Sequence, residues 1–199
     1  MKRYIAVVGR SCSGKETIFK MAKEFLASLR KDVSIHHFSD PLNEILDVLA
    51  LPKTRPNQQH LSTILRQSNL MKHDGQVAGE EILGNVIYSR ALLDKSDVIF
   101  LDGVRRPQDV AMLRRFSGSS LVFVFAPLDQ RYEWLKARAD RPGDANKTWE
   151  EFLREQAAES ESKIDELRHS AYFKIDNCGD LEFLRGQVTH ILKCELGLV

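Results

Sequence analysis

The chain has 199 residues, a length for one domain with a sizeable core, and 43% hydrophobic with 29% charged residues is ordinary for a globular protein. A formal net charge of +1 argues against general polyanion binding, so duplex nucleic acid is not an expected partner. Three scattered cysteines (Cys12, Cys178, Cys194) exclude a disulfide framework or a cysteine-rich zinc site and fit a reduced, cytoplasmic setting, and no apolar run approaches the ~18 residues of a membrane span.

Short apolar runs alternate with longer helical patterns. Residues 4–8 read as a buried strand that breaks at Gly9, and Ile18, Met21, Ala22, Phe25, Leu26 and Leu29 recur at helical spacing on one face. A second strand is expected over 33–38. Asp40-Pro41 then opens a helix, with Asp as cap and Pro at the first position, and 52–57 reads as a loop. Helices follow over roughly 58–72 and 78–93, a strand over 98–101, a helix from Pro107, a strand over 121–125 and a helix over 128–138. Residues 140–147 are a polar loop. Thr148-Trp149-Glu150-Glu151 is a capping box opening a very polar helix, which reads as solvated and mobile. A last strand covers 171–175, and Asp180 caps a last helix.

Strands alternating with helices imply parallel pairing, and five strands imply a single three-layer α/β/α sandwich. The extra helices over about 40–94 exceed one crossover and read as an acceptor-binding lobe. The segment over about 139–167 reads as a lid.

Gly9-Arg10-Ser11-Cys12-Ser13-Gly14-Lys15 matches G-x-x-x-x-G-K between a strand and a helix, the context that a phosphate-binding loop requires. Its N–H groups and the helix N-terminus would cradle phosphates, and Lys15 would reach the β- and γ-phosphates. The residue after the lysine, usually Ser or Thr, is Glu16, followed by Thr17. Glu16 either approaches magnesium directly or through water, or it is a first-turn carboxylate complementing the helix dipole. Thr17 is placed for the α-phosphate.

The apolar strand before Asp102 sets that carboxylate at the carboxyl edge of the sheet, where ligands bind in open α/β folds. There it would hold magnesium, orient the acceptor, or simply end the strand. Arg105 and Arg106 follow, and a guanidinium fork matches phosphate oxygens. Arg138 and Arg141 flank the lid loop as candidates for closing over the transferring group. Arg131, two turns back, reads as a surface residue. Asp40 ends the second strand as helix cap or acceptor contact, Arg66 of the inserted lobe is an acceptor candidate, and His36 and His37 read as structural.

These residues resemble the nucleoside monophosphate kinase group of P-loop proteins, most nearly the deoxynucleoside monophosphate kinase and dephospho-coenzyme A kinase branch. The phosphate loop ending Gly14-Lys15-Glu16-Thr17 resembles their Gly-Lys-Asp-Thr. Phe38-Ser39-Asp40-Pro41-Leu42 is similar to a Phe-x-Asp-Pro-Leu element, and Asp102-Gly103-Val104-Arg105 with Pro107 to an Asp-Val-Arg-x-Pro stretch, favouring Arg105 over Arg106. Ile175-Asp176-Asn177 with Gly179, Leu181, Gln187 and Val188 resembles the dephospho-coenzyme A kinase C-terminal segment, which implies an adenine-side place for Asn177. The resemblance implies the P-loop kinase fold with sheet order 2-3-1-4-5, ATP, magnesium, and a lobe and lid that close on a small-molecule acceptor. The expected activity is γ-phosphoryl transfer from ATP to a (deoxy)nucleoside monophosphate, by a monomer or homodimer. Phosphorylation of a hydroxyl, with Asp40 as base, is the rival chemistry, and a nucleotide-binding regulatory protein the rival class.

Overall fold

The structure, a computed structural model, describes residues 2–138, 146–157 and 163–199. Its centre is a five-stranded parallel sheet in the order β2-β3-β1-β4-β5, as expected, built from β1 (Arg3–Val8), β2 (Val33–His37), β3 (Val98–Asp102), β4 (Ser119–Phe125) and β5 (Phe173–Asp176). Strand side chains alternate between two cores. Tyr4, Ala6 and Val8 join Ile99 and Leu101 on one face, while Ile5 and Val7 join Val98 and Phe100 on the other. The near-continuous apolar runs of β1 and β3 follow from this, since a parallel sheet covered on both faces has no solvent side. Each large side chain so buried stabilises the fold by about 1.5–3 kcal/mol relative to exposure.

One face is covered by α1 (Lys15–Ser28) and α8 (Leu181–Leu196), which pack together. The other carries α4 (Ile82–Leu93), α5 (Pro107–Leu113) and a short 3₁₀ turn, Asp165–Ser170. Among the described residues no helix is long and apolar enough to cross a membrane.

The inserted lobe departs from the sequence reading. Here Ser39 occupies the N-cap position of α2 (Asp40–Val48) without a side-chain cap bond, and the Asp40 carboxylate instead turns back to accept the His37 N–H at 2.9 Å. Helix α3 (Arg55–Gln67) begins inside the expected loop, because the Thr54 hydroxyl accepts the Asn57 N–H and Pro56 suits a first turn. It also ends earlier than expected: Met71 and Val77 pair across a turn at Gly75, whose φ is +82°. Residues Gly79–Glu81 then form a 3₁₀ turn before α4.

Helix α6 (Leu128–Arg138) matches expectation. The capping box forms α7 (Trp149–Gln156), with Thr148 and Glu151 exchanging hydrogen bonds, but this helix is not a solvated one. Phe152 is 1% exposed and Gln156 is buried. One aromatic and one amide, four apart on the inner face, suffice to seat a short helix against Tyr132 and Arg131. Phe152 and Gln156 thus tie this helix to α6; the loop containing Arg141 lies outside the described residues.

Candidate active site

The phosphate loop links β1 to α1, and its glycines are required by contact. A Cβ on Gly9 would meet the Ser13 hydroxyl at 2.6 Å and the Val124 carbonyl at 2.7 Å. Gly14 has φ +93°, and a Cβ there would meet the Asn177 amide nitrogen at 2.3 Å. Lys15 Nζ donates to the carbonyls of Gly9 (2.9 Å) and Arg10 (3.3 Å), so its charge lies across the loop. Glu16 is exposed and faces Arg138 of α6 at 3.9 Å, while Thr17 and Ser11 to Lys15 line the cavity.

The loop is braced from behind. Arg131, expected at the surface, is 4% exposed. It donates to the carbonyls of Ser11 and Ala126 and to the Gln156 side chain. Arg10 also turns this way, pairing with Asp165 at 2.8 Å and donating to the Gln156 carbonyl. Asn177 is likewise a brace, its amide donating to the Ser13 carbonyl at 3.0 Å while it lines the cavity.

At the carboxyl edge, parallel register sets His37 beside Asp102, and His37 Nδ1 lies 3.1 Å from Asp102 Oδ2. His37 thus lines the candidate site beside Asp102, a place that its structural reading did not give it. Burial opposes ionisation of Asp102, but the His37 hydrogen bond and the charges of Lys15 and Arg105 hold its carboxyl below the usual range. The Asp102 hydrogen bond raises the His37 pKa, against the opposing effect of burial. Asp102 Oδ1 is buried without a hydrogen-bond partner among the described residues. An orphan carboxylate oxygen at a phosphate loop has the chemistry to accept from a magnesium-bound water or an acceptor hydroxyl.

The loop, Lys15, His37, Asp102 and Asn177 face one cavity of about 1090 Å³. Helix α6 presents Gln130, Trp134 and Arg138, spaced by four on one face, to the cavity, which Asn177, Gly179, Asp180 and Leu181 also line. Trp134 and Gln130 were missed by the sequence reading, though that spacing was there to find. The cavity is also lined by Asp40, Arg66, Arg105 and Arg106, with Arg55, Gln58 and Gln59. Arg66 is buried and engaged: it donates to the Glu80 carbonyl at 2.6 Å and pairs with Asp109 at 3.2 Å. Arg106 pairs with Glu80 at 2.9 Å.

No family model matches the chain. It is 28% identical over 185 residues to a UPF0200 protein of Pyrococcus horikoshii, covering 91% of each chain. It is 29% identical over 191 residues to a UPF0200 protein of Thermococcus kodakarensis, covering 94% of this chain and 95% of that relative. A shikimate kinase structure from Bacteroides thetaiotaomicron superposes with a TM-score of 0.59 at 15% identity, covering 98% of each chain. A gluconokinase from Sinorhizobium meliloti 1021 gives 0.53 at 14% identity, covering 98% of this chain and 95% of that one. These likenesses carry the fold and no single branch within it: five parallel strands in the order 2-3-1-4-5, helices on both faces and a phosphate loop after β1 give this chain the P-loop kinase fold.

Proposed function

We propose that this chain is an ATP-dependent phosphotransferase that moves the γ-phosphoryl group to a small acceptor, a (deoxy)nucleoside monophosphate. The observation that carries this reading is the single cavity running from Lys15 to Arg105. Its volume is at the upper end of single-ligand pockets, roughly 300–1,000 Å³, and so has room for two substrates end to end. An acceptor phosphate is already a nucleophile, so the chain's task is alignment and charge neutralisation.

In this reading Lys15 and Arg138 meet the charge of the transferring group, with Arg141 the further candidate. Loop amides from Gly9 to Gly14 hold the phosphates, and the segment at Asn177 flanks the base. Magnesium would neutralise phosphate oxygens; Asp102, with Glu16 or Thr17, supplies oxygen donors suited to it. Arg105, with Asp40 and Arg66 around it, serves the acceptor, and the lobe over about 40–94 is the acceptor-binding part of one domain.

Arg105→Ala is expected to raise the acceptor KM about tenfold or more, the loss of a charge-assisted contact, with the ATP KM within twofold. Steady-state kinetics with each substrate varied in turn reads this, and a selective rise in ATP KM would put Arg105 in the other subsite. Asp102→Asn is expected to lower kcat about a hundredfold with little change in either KM, since the orphan oxygen acts on the transferring group. Unchanged kcat would remove Asp102 from the machinery.

A hydroxyl acceptor is the second reading. The hydrogen-bonded pair His37 and Asp102 beside Asp40 offers bases at the acceptor edge, and the neighbours include structures titled as shikimate kinase and gluconokinase.

A further inference from the structure

Three of the four arginines on the acceptor side, Arg66, Arg105 and Arg106, are organised by one carboxylate that does not line the cavity. Asp109, in the first turn of α5, is 1% exposed. Its Oδ2 accepts the backbone N–H groups of Arg105 at 3.1 Å and of Arg106 at 3.2 Å. Its Oδ1 accepts from Arg66 Nη2, on a helix 43 residues earlier in the chain, at 3.2 Å. Glu80 closes the arrangement, its carbonyl taking Arg66 Nη1 and its carboxylate pairing with Arg106.

A first-turn carboxylate commonly does no more than accept a helix N–H at the surface. Asp109 is different in two respects. It is wholly buried, where an anion needs every lone pair matched. It also reaches one residue beyond the N-cap Arg106, to the Arg105 N–H, which fixes the chain just where the Arg105 side chain departs into the cavity. Arg66 and Arg106 are thereby set against Asp109 and Glu80, and α3 is locked in register with the strand-edge loop.

We propose that Asp109 is the positioning residue of the acceptor site, holding the Arg105 backbone and the α3 wall in one geometry through its two oxygens. The proposal rests on Arg105 serving the acceptor. Arg66 then acts as the strut between lobe and loop, and its contribution to binding is made through Asp109.

A double-mutant cycle on Asp109→Asn and Arg105→Ala tests this, with each ribo- and deoxynucleoside monophosphate as acceptor and ATP varied separately. Asparagine keeps an oxygen for the two N–H groups but turns an amide NH₂ towards Arg66. Asp109→Asn is expected to raise the acceptor KM about tenfold with ATP KM within twofold, the latter also showing that the nucleotide side is folded. In the Arg105→Ala background the same change should add less than twofold. An acceptor KM within twofold of wild type, an equal rise in both KM values, or full multiplication in the Arg105→Ala background would overturn the proposal. If the wild type converts none of these ribo- and deoxynucleoside monophosphates, the functional reading has failed on its own. Positioning is then read from the Arg105 Nε–H resonance under titration with inorganic phosphate. A wild-type response at least tenfold stronger than that of Asp109→Asn supports the proposal. Equal responses, or none in the wild type, overturn it.

Discussion

Lys15→Ala is expected to lower kcat by at least about a hundredfold while the protein remains folded. The lysine is placed by the first turn of α1, and its Nζ hydrogen-bonds the Gly9 and Arg10 carbonyls across the loop. Those bonds hold the charge across the loop, so in the proposed reading it would meet phosphate without first being ordered. Alanine removes the charge and leaves two backbone carbonyls in a water-accessible cavity, a small stability cost. The fold is checked by the thermal unfolding midpoint, which should move by no more than a few degrees. Turnover within tenfold of wild type would remove the phosphate loop from the chemistry.

The largest expected stability effect is at Arg131. Arg131→Met keeps much of the volume and removes every donor. The Ser11 and Ala126 carbonyls and the Gln156 side chain then lose a buried partner together. Unsatisfied buried polar groups cost about 1–3 kcal/mol each, partly relieved by relaxation, so the net loss is expected at about 2–4 kcal/mol. Urea unfolding with unchanged slope measures it. Because one of those carbonyls belongs to the phosphate loop, the ATP KM should rise as well. A loss below about 0.5 kcal/mol, within the range of surface substitutions, would mean that Arg131 braces nothing.

The sheet and the phosphate loop were legible because their signals are local. Continuous apolar runs mark strands buried on both faces, and the glycine spacing carries its own geometry. The strand order came through resemblance, and the structure agrees with it. Arg131 and His37 were not legible. Arginine is most often exposed, and only the packing of Phe152 and Gln156 of α7 over α6 makes this one interior. His37 joins the site through its register with Asp102, across 65 residues of chain. Arg66 was identified as an acceptor-side residue, but its bond to Asp109 depends on how α3 lies on α5, which no periodicity records. The polar count of α7 misled because two inward residues seat eight.

A cavity that holds a phosphoryl donor and a separate acceptor should form ADP from ATP and magnesium only when the acceptor is present. With each ribo- and deoxynucleoside monophosphate and dephospho-coenzyme A supplied in turn, the expected result is ADP formation that depends on one class of nucleoside monophosphate and disappears in Lys15→Ala. ADP formation only with dephospho-coenzyme A would transfer the chemistry to a hydroxyl, and ATP binding with no acceptor-dependent ADP in any arm would exclude phosphotransfer to these acceptors.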